Sequence, residues 1–101
     1  MKENINTEKY RVNGAYFCRC CGYNTLSAFP NGTYEICSIC FWEDDYYQTL
    51  HPHYTGSPNR VSLHKGRLNF NEYGSCETDM VRNCRIPTEK EVRINPLAIP
   101  W

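Results

Sequence analysis

The chain has 101 residues, enough for one domain and too few for a second. Eleven basic and eleven acidic side chains balance, so the basic surplus usual in nucleic-acid binders is missing. Hydrophobic residues make up 41%, but eight Tyr and seven Cys supply much of that, and a small domain with so few Leu, Ile, Val and Phe needs a staple.

Residues 1–9 are polar and charged and read as a flexible tail before a single domain over 10–101. They contain no apolar core of a signal peptide, and no stretch approaches the length of a membrane-spanning helix. A cytoplasmic setting is therefore expected, where thiols stay reduced and cysteine clusters mean metal or catalysis. Residues 10–12 and 15–17 flank Asn13-Gly14, a strong hairpin signal. The second of these short strands delivers Cys18 into a Cys-x-x-Cys-Gly turn, or knuckle, closed by Cys21 and Gly22. Residues 23–29 leave it as a strand, Pro30-Asn31-Gly32 turns, and residues 33–36 return as a strand into a second Cys-x-x-Cys, Cys37 and Cys40.

Fifteen residues separate the two pairs, inside the window of a four-cysteine zinc site. Two residues between ligands let both sulfurs point into one tight turn. Two such turns give four thiolates in a tetrahedron, the arrangement of a structural Zn²⁺. Cys18, Cys21, Cys37 and Cys40 are thus the candidate metal ligands, in a small metal-stabilised α+β domain. The layout of strand, knuckle, strand, turn, strand, knuckle is that of a four-cysteine zinc ribbon, followed by one main helix and an extended C-terminal tail. Gly22 stands where the turn needs positive φ. Phe41 stands at the matching place in the second pair, so that knuckle closes differently or carries strain. A disulfide framework is the alternative, and it needs an oxidising compartment.

Residues 41–47 read FWEDDYY. The plain reading packs Phe41 and Trp42 against the knuckles and leaves the acids solvated. The sharper one makes Glu43, Asp44 and Asp45 a partner surface or an oxygen-ligand site for Mg²⁺ or Ca²⁺. Residues 48–58 read as a loop carrying His51 and His53. Ser62 is a good N-cap, with Val61 before it as a staple residue. Leu63, Gly66, Phe70 and Tyr73 share a helical stripe, and Gly74 is a suitable stop, so a helix is expected over about 62–74. Gly66 on that stripe predicts close approach of another backbone. Arg60 is expected to pair with at least one of Glu43, Asp44 and Asp45, with Asn59 bonding loop backbone at the same junction. Residues 76–85 look irregular, Thr88 suits the start of a short helical turn, and the apolar residues near the end suggest a docked tail. Cys20, inside the first knuckle, is a competing ligand, although a Cys18/Cys20 pairing lacks the two-residue spacer, and Cys76 and Cys84 fit small buried side chains. A second site or redox pair would need a histidine or base beside them, and His51, His53 and His64 are the candidates.

Three blocks, CRCCGYNTL, TYEICSICFWEDD and SPNRVSLHKGRLNFNEYGSCE, resemble the bacterial cysteine-rich CPCC family, in the right order over about residues 16–77. The resemblance implies a small zinc-binding domain and brings no established activity. The family's first motif reads Cys-Pro-Cys-Cys-Gly-Tyr. Arg19 replaces the proline here, losing its fixed φ and placing a cation beside a site of net negative charge. The family's Trp-Glu-Asp-Asp block maps onto Trp42, Glu43, Asp44 and Asp45. Its Asn-Arg-Val-Ser-Leu block maps onto Asn59, Arg60, Val61, Ser62 and Leu63.

The function expected is that of a non-enzymatic zinc-binding module presenting an acidic, aromatic surface to a protein partner, as an immunity or regulatory protein would. Nucleic-acid binding is one alternative. It requires Arg60, Lys65, Arg67 and Arg82 to converge on one face with Tyr side chains for stacking. Redox chemistry is the other, through exposed thiols or through iron, which four thiolates also hold.

Overall fold

In the computed structural model, which describes residues 5–100, Asn13 and Gly14 take φ of 52° and 83°. Two consecutive positive φ values are what a type I′ hairpin turn demands. The turn joins β1 (Arg11–Val12) to β2 (Ala15–Phe17), and β3 (Asn24–Leu26) completes an antiparallel sheet in the order β1-β2-β3. Val12 pairs with Ala15 and Tyr16 with Leu26. Ahead of the sheet, Thr7–Tyr10 form a 3₁₀ turn, and Glu8 accepts from Arg11 and Tyr16. The first four residues of the expected tail lie outside the described residues.

Residues 33–36 do not form the expected return strand. Tyr34 takes φ 69°, which an extended strand excludes. Only Ile36 bridges, to Glu43. The cause is Asp44. It is 2% exposed, and its Oδ2 accepts from Gly32 N, Thr33 N and Thr33 Oγ1 at 3.0, 2.7 and 3.0 Å. The chain wraps this carboxylate and cannot run straight past it.

A second departure follows at once. Residues 48–50, expected as the start of a loop, belong to helix α1 (Tyr46–Leu50), capped by Asp45, whose carboxylate accepts from Gln48 N. Gln48 is fully buried. Its amide nitrogen donates to Asn59 O and Val61 O, and its Oε1 accepts from Asn59. Helix α2 (Leu63–Tyr73) runs as expected, from a Ser62 side chain accepting Lys65 N to Gly74 in the left-handed region. The buried stripe holds Leu63, Gly66 and Asn69. Tyr73 is exposed, and Asn69 is inside because its amide donates to Cys76 O. Gly66 does sit at a close approach, but to side chains. A Cβ there would lie 3.3 Å from Cys20 Sγ and 3.4 Å from the Trp42 ring.

After α2 the chain makes 3₁₀ turns at Thr78–Asn83 and Pro96–Ala98. Thr88 starts a short hydrogen-bonded turn, with Glu91 N donating to Thr88 O and Thr88 N to the Glu91 carboxylate. From Glu91 onward the C-terminal segment lies along the first knuckle as a strap. Tyr23 bridges Arg93, Ile94 N donates to Gly22 O, and Ile99 is buried. The tail is docked, as its apolar residues suggested. No described helix is long and apolar enough to cross a membrane.

Candidate metal centre

Two turns of the same construction build the site. In the first, Cys18 N donates to Tyr23 O and Gly22 N to Cys18 O, both at 2.9 Å. In the second, Cys37 N donates to Trp42 O at 2.9 Å and Phe41 N to Cys37 O at 2.8 Å. Gly22 and Phe41 take φ of 83° and 73°. The second knuckle therefore closes as the first does, with Phe41 held in the left-handed region that costs a non-glycine residue about 1–2 kcal/mol. The Phe41 ring packs against the core in return.

The knuckles bring Cys18, Cys21, Cys37 and Cys40 together, all four buried, with their sulfurs within 4.8 Å of one another. Cys18 Sγ lies 3.7 Å from Cys40 Sγ, and Cys21 Sγ 3.7 Å from Cys37 Sγ. A tetrahedron with metal–sulfur bonds near 2.3 Å has edges of about 3.8 Å, so the donor set fits a tetrahedral ion of that size. Among the described residues this is the one cluster of three or more metal-ligating side chains. All seven cysteines are free of disulfides.

Electrostatics favour a cation here. Burial pushes the Cys18 and Cys40 thiols well above their usual range and raises Cys21. Cys37 is held well below it, first by hydrogen bonds from the other three cysteines and also by Thr25. Four buried sulfurs share one space, and they cannot all ionise unless positive charge enters with them. Thr25 on β3 donates its hydroxyl to Cys37 Sγ at 3.0 Å. Its only trace in the sequence is a hydroxyl residue on the strand leaving the first knuckle.

Arg19, at the place of the family's proline, is 4% exposed. It donates to Pro30 O, Ile99 O and Pro100 O at 2.7, 3.3 and 2.9 Å, tying the first knuckle to the Pro30 turn and the tail. Burial lowers it to about 10, while Asp44 and Cys18 favour its charge.

The remaining candidates divide. Cys20 is buried beside the cluster, its amide donating to Cys18 Sγ, and it is not one of the four. Cys76 is buried and its thiol is raised by desolvation. Its amide donates to Cys40 O. Cys84 donates to Met80 O. The His51 ring stacks on Tyr47 and His53 on His64, with centroids 4.2 and 4.7 Å apart, and no histidine joins the cysteines. The acid run does not gather as an oxygen-ligand site. Arg60 turns away from it, bonding Glu77 and Asp79 at 2.6 and 3.4 Å. The expected pair with Glu43, Asp44 or Asp45 is therefore wrong, because two of those acids already hold backbone amides. Asn59 does serve the junction: its Oδ1 accepts from Glu43 N and its Nδ2 donates to Glu43 O, both at 2.9 Å.

No curated protein matches the chain at a significant level. The family model described as Cysteine-rich CPCC matches residues 16–91, a span that takes in both knuckles, both helices and the Arg85–Glu91 ion pair. With three quarters of its length and all four clustered cysteines inside that match, the chain belongs to the cysteine-rich CPCC family.

Proposed function

We propose that the protein is a non-enzymatic zinc-binding module, a zinc-ribbon-like centre whose fold is held by one Zn²⁺ on Cys18, Cys21, Cys37 and Cys40. The observation that carries this is the set of four buried sulfurs within 4.8 Å of one another. A closed four-thiolate set leaves no open position for a substrate, as structural zinc sites do and catalytic ones do not. The absence of disulfides suits a reducing, cytoplasmic setting.

The surface offered to a partner is more aromatic than acidic, since Asp44 is buried and the half-buried Asp45 is taken up as the cap of α1. Helix α1 exposes Tyr46, Tyr47 and Leu50, and Tyr54 meets the Tyr47 ring at 4.8 Å. Exposed aromatics on a fixed element are the usual anchors of protein interfaces. Arg60, one of the cations a nucleic-acid face would need, is tied to Glu77 and Asp79, which favours the protein partner.

Native mass spectrometry of the purified chain should show a single zinc increment. A folded, metal-free chain overturns the metal reading. A visible thiolate-to-metal charge-transfer band would assign iron and overturn zinc.

A further inference from the structure

A cleft of about 550 Å³ opens between α2 and the C-terminal strap, on the outer side of the first knuckle. Small-ligand sites occupy about 300–1,000 Å³. Its walls carry the Arg67 and Arg93 guanidiniums and the His64 ring, with Leu68, Ile94 and Leu97 as apolar neighbours, and no acid. That charge is out of place in a chain of zero net charge. Elsewhere Arg11 is matched by Glu8, Arg60 by Glu77 and Asp79, and Arg85 by Glu91. Among the described residues, Arg67 and Arg93 meet no carboxylate.

Both are held in place by their Nε atoms. Arg67 donates to Arg19 O at 2.9 Å and Arg93 to Cys21 O at 2.7 Å. Arg93 Nη2 also donates to Asn71 Oδ1 at 2.8 Å, and its guanidinium lies over the Phe70 ring at 5.1 Å. Among the described residues, both Nη groups of Arg67 and Nη1 of Arg93 meet no acceptor. Desolvation lowers Arg67 below its usual range, while the nearby Cys20 and Cys18 favour its charge. Balancing the thiolates would not require this opening, and neither guanidinium bonds a sulfur among the described residues. A guanidinium fixed at Nε with its other donors open is prepared for a planar or tetrahedral oxyanion.

We propose that this cleft binds a small organic oxyanion, a carboxylate or phosphate on an apolar body. Arg67 and Arg93 hold the oxygens, and Leu68, Ile94 and Leu97 cover the apolar part. The inference goes beyond the metal reading and does not depend on which ion is bound.

The test is an amide and arginine side-chain NMR titration of the metal-loaded 101-residue chain with hexanoate, hexyl phosphate, acetate and inorganic phosphate. Hexanoate or hexyl phosphate should shift Leu68, Asn71, Ile94, Leu97 and the Arg67 Nε–H. It should bind at least about tenfold more tightly than its short counterpart, because several methylenes leave water. Which of the two binds better decides between carboxylate and phosphate. Arg67→Gln keeps a donor for the Arg19 carbonyl and should weaken binding about tenfold. Asn71→Asp, at an exposed position away from the cysteines, should do the same by placing a carboxylate against Arg93, and it decides alone if Arg67→Gln misfolds. No shifts with any probe, shifts scattered away from the cleft, or binding unchanged in Asn71→Asp would overturn the proposal.

Discussion

Two glycines with the same φ of 83° carry different burdens, and the difference can be measured. A Cβ on Gly14 would meet nothing within 4 Å, whereas one on Gly22 would lie 2.2 Å from the Ile94 carbonyl oxygen. Gly14→Ala should therefore cost only the left-handed penalty, about 1–2 kcal/mol. Gly22→Ala adds a clash with backbone and loss of the Ile94 N to Gly22 O bond of 3.0 Å. It should cost about 1 kcal/mol more for the bond alone, with further loss from the displaced strap. Denaturant melts of both variants check the order, and amide exchange at Ile94 should accelerate in Gly22→Ala only. The cysteines separate in the same manner. Cys20→Ser leaves the cluster of four intact and buries a hydroxyl among apolar neighbours, a loss of about 1–3 kcal/mol. It should keep one metal per chain by mass spectrometry. Cys21→Ser removes a proposed ligand and should lose tight metal binding. Equal behaviour of the two variants would mean that Cys20 is a ligand and the four are misassigned.

Local signals made some elements legible and non-local ones hid the rest. Asn13-Gly14, the Ser62 cap and the Gly74 stop each act within a turn of chain, and the hairpin and α2 stand where they point. The cysteine pairs are also local, each closing its own turn, and the two turns meet as the spacing pointed. Helix α1 is five residues long, too short for periodicity to announce it, and its cap Asp45 reads as one more member of an acid run. Arg60 had acids on both sides in sequence, and its choice of Glu77 and Asp79 depends on where the end of α2 lies in space. The strap has the same non-local character. Arg85 reaches Ser38 Oγ in the second knuckle at 2.8 Å while pairing with Glu91 at 2.6 Å. The Arg85 guanidinium holds the Glu91 carboxyl down at about 2, against 4.5 when free. Because the folded value is the lower one, this contact stabilises the fold above about pH 4.5 and fades as pH falls toward about 2. The melting difference between wild type and Glu91→Gln should shrink steadily on acidification from about pH 6 to about pH 3. A difference that stays constant would mean that Glu91 acts by packing, and not by charge.

At the scale of the molecule, the core and the candidate metal centre are one object. Of the twelve buried hydrophobic side chains among the described residues, six are cysteines, and the others are Phe17, Leu26, Ile39, Trp42, Leu63 and Ile99. The thin aliphatic supply of the sequence is thus made up by sulfur, and four of those sulfurs gain little from burial unless an ion joins them. Helix α2 leans on the same core, since a Cβ on Gly66 would meet Cys20, Trp42 and Cys76. The strap hangs on carbonyls of the first knuckle through Arg93 and Ile94. Metal removal should therefore unfold the whole domain in one step, not the knuckles alone, because metal binding energy at such a site is folding energy. A strong chelator should collapse the amide dispersion of Leu63–Tyr73 and of residues 91–99 together with that of residues 16–42. Far-ultraviolet helical signal should fall in parallel with release of the proposed zinc, measured by a chromophoric chelator. If α2 keeps its protected amides after the metal has gone, the buried Leu63, Trp42 and Ile99 hold a core of their own. The ion would then be an addition to the fold and not its centre.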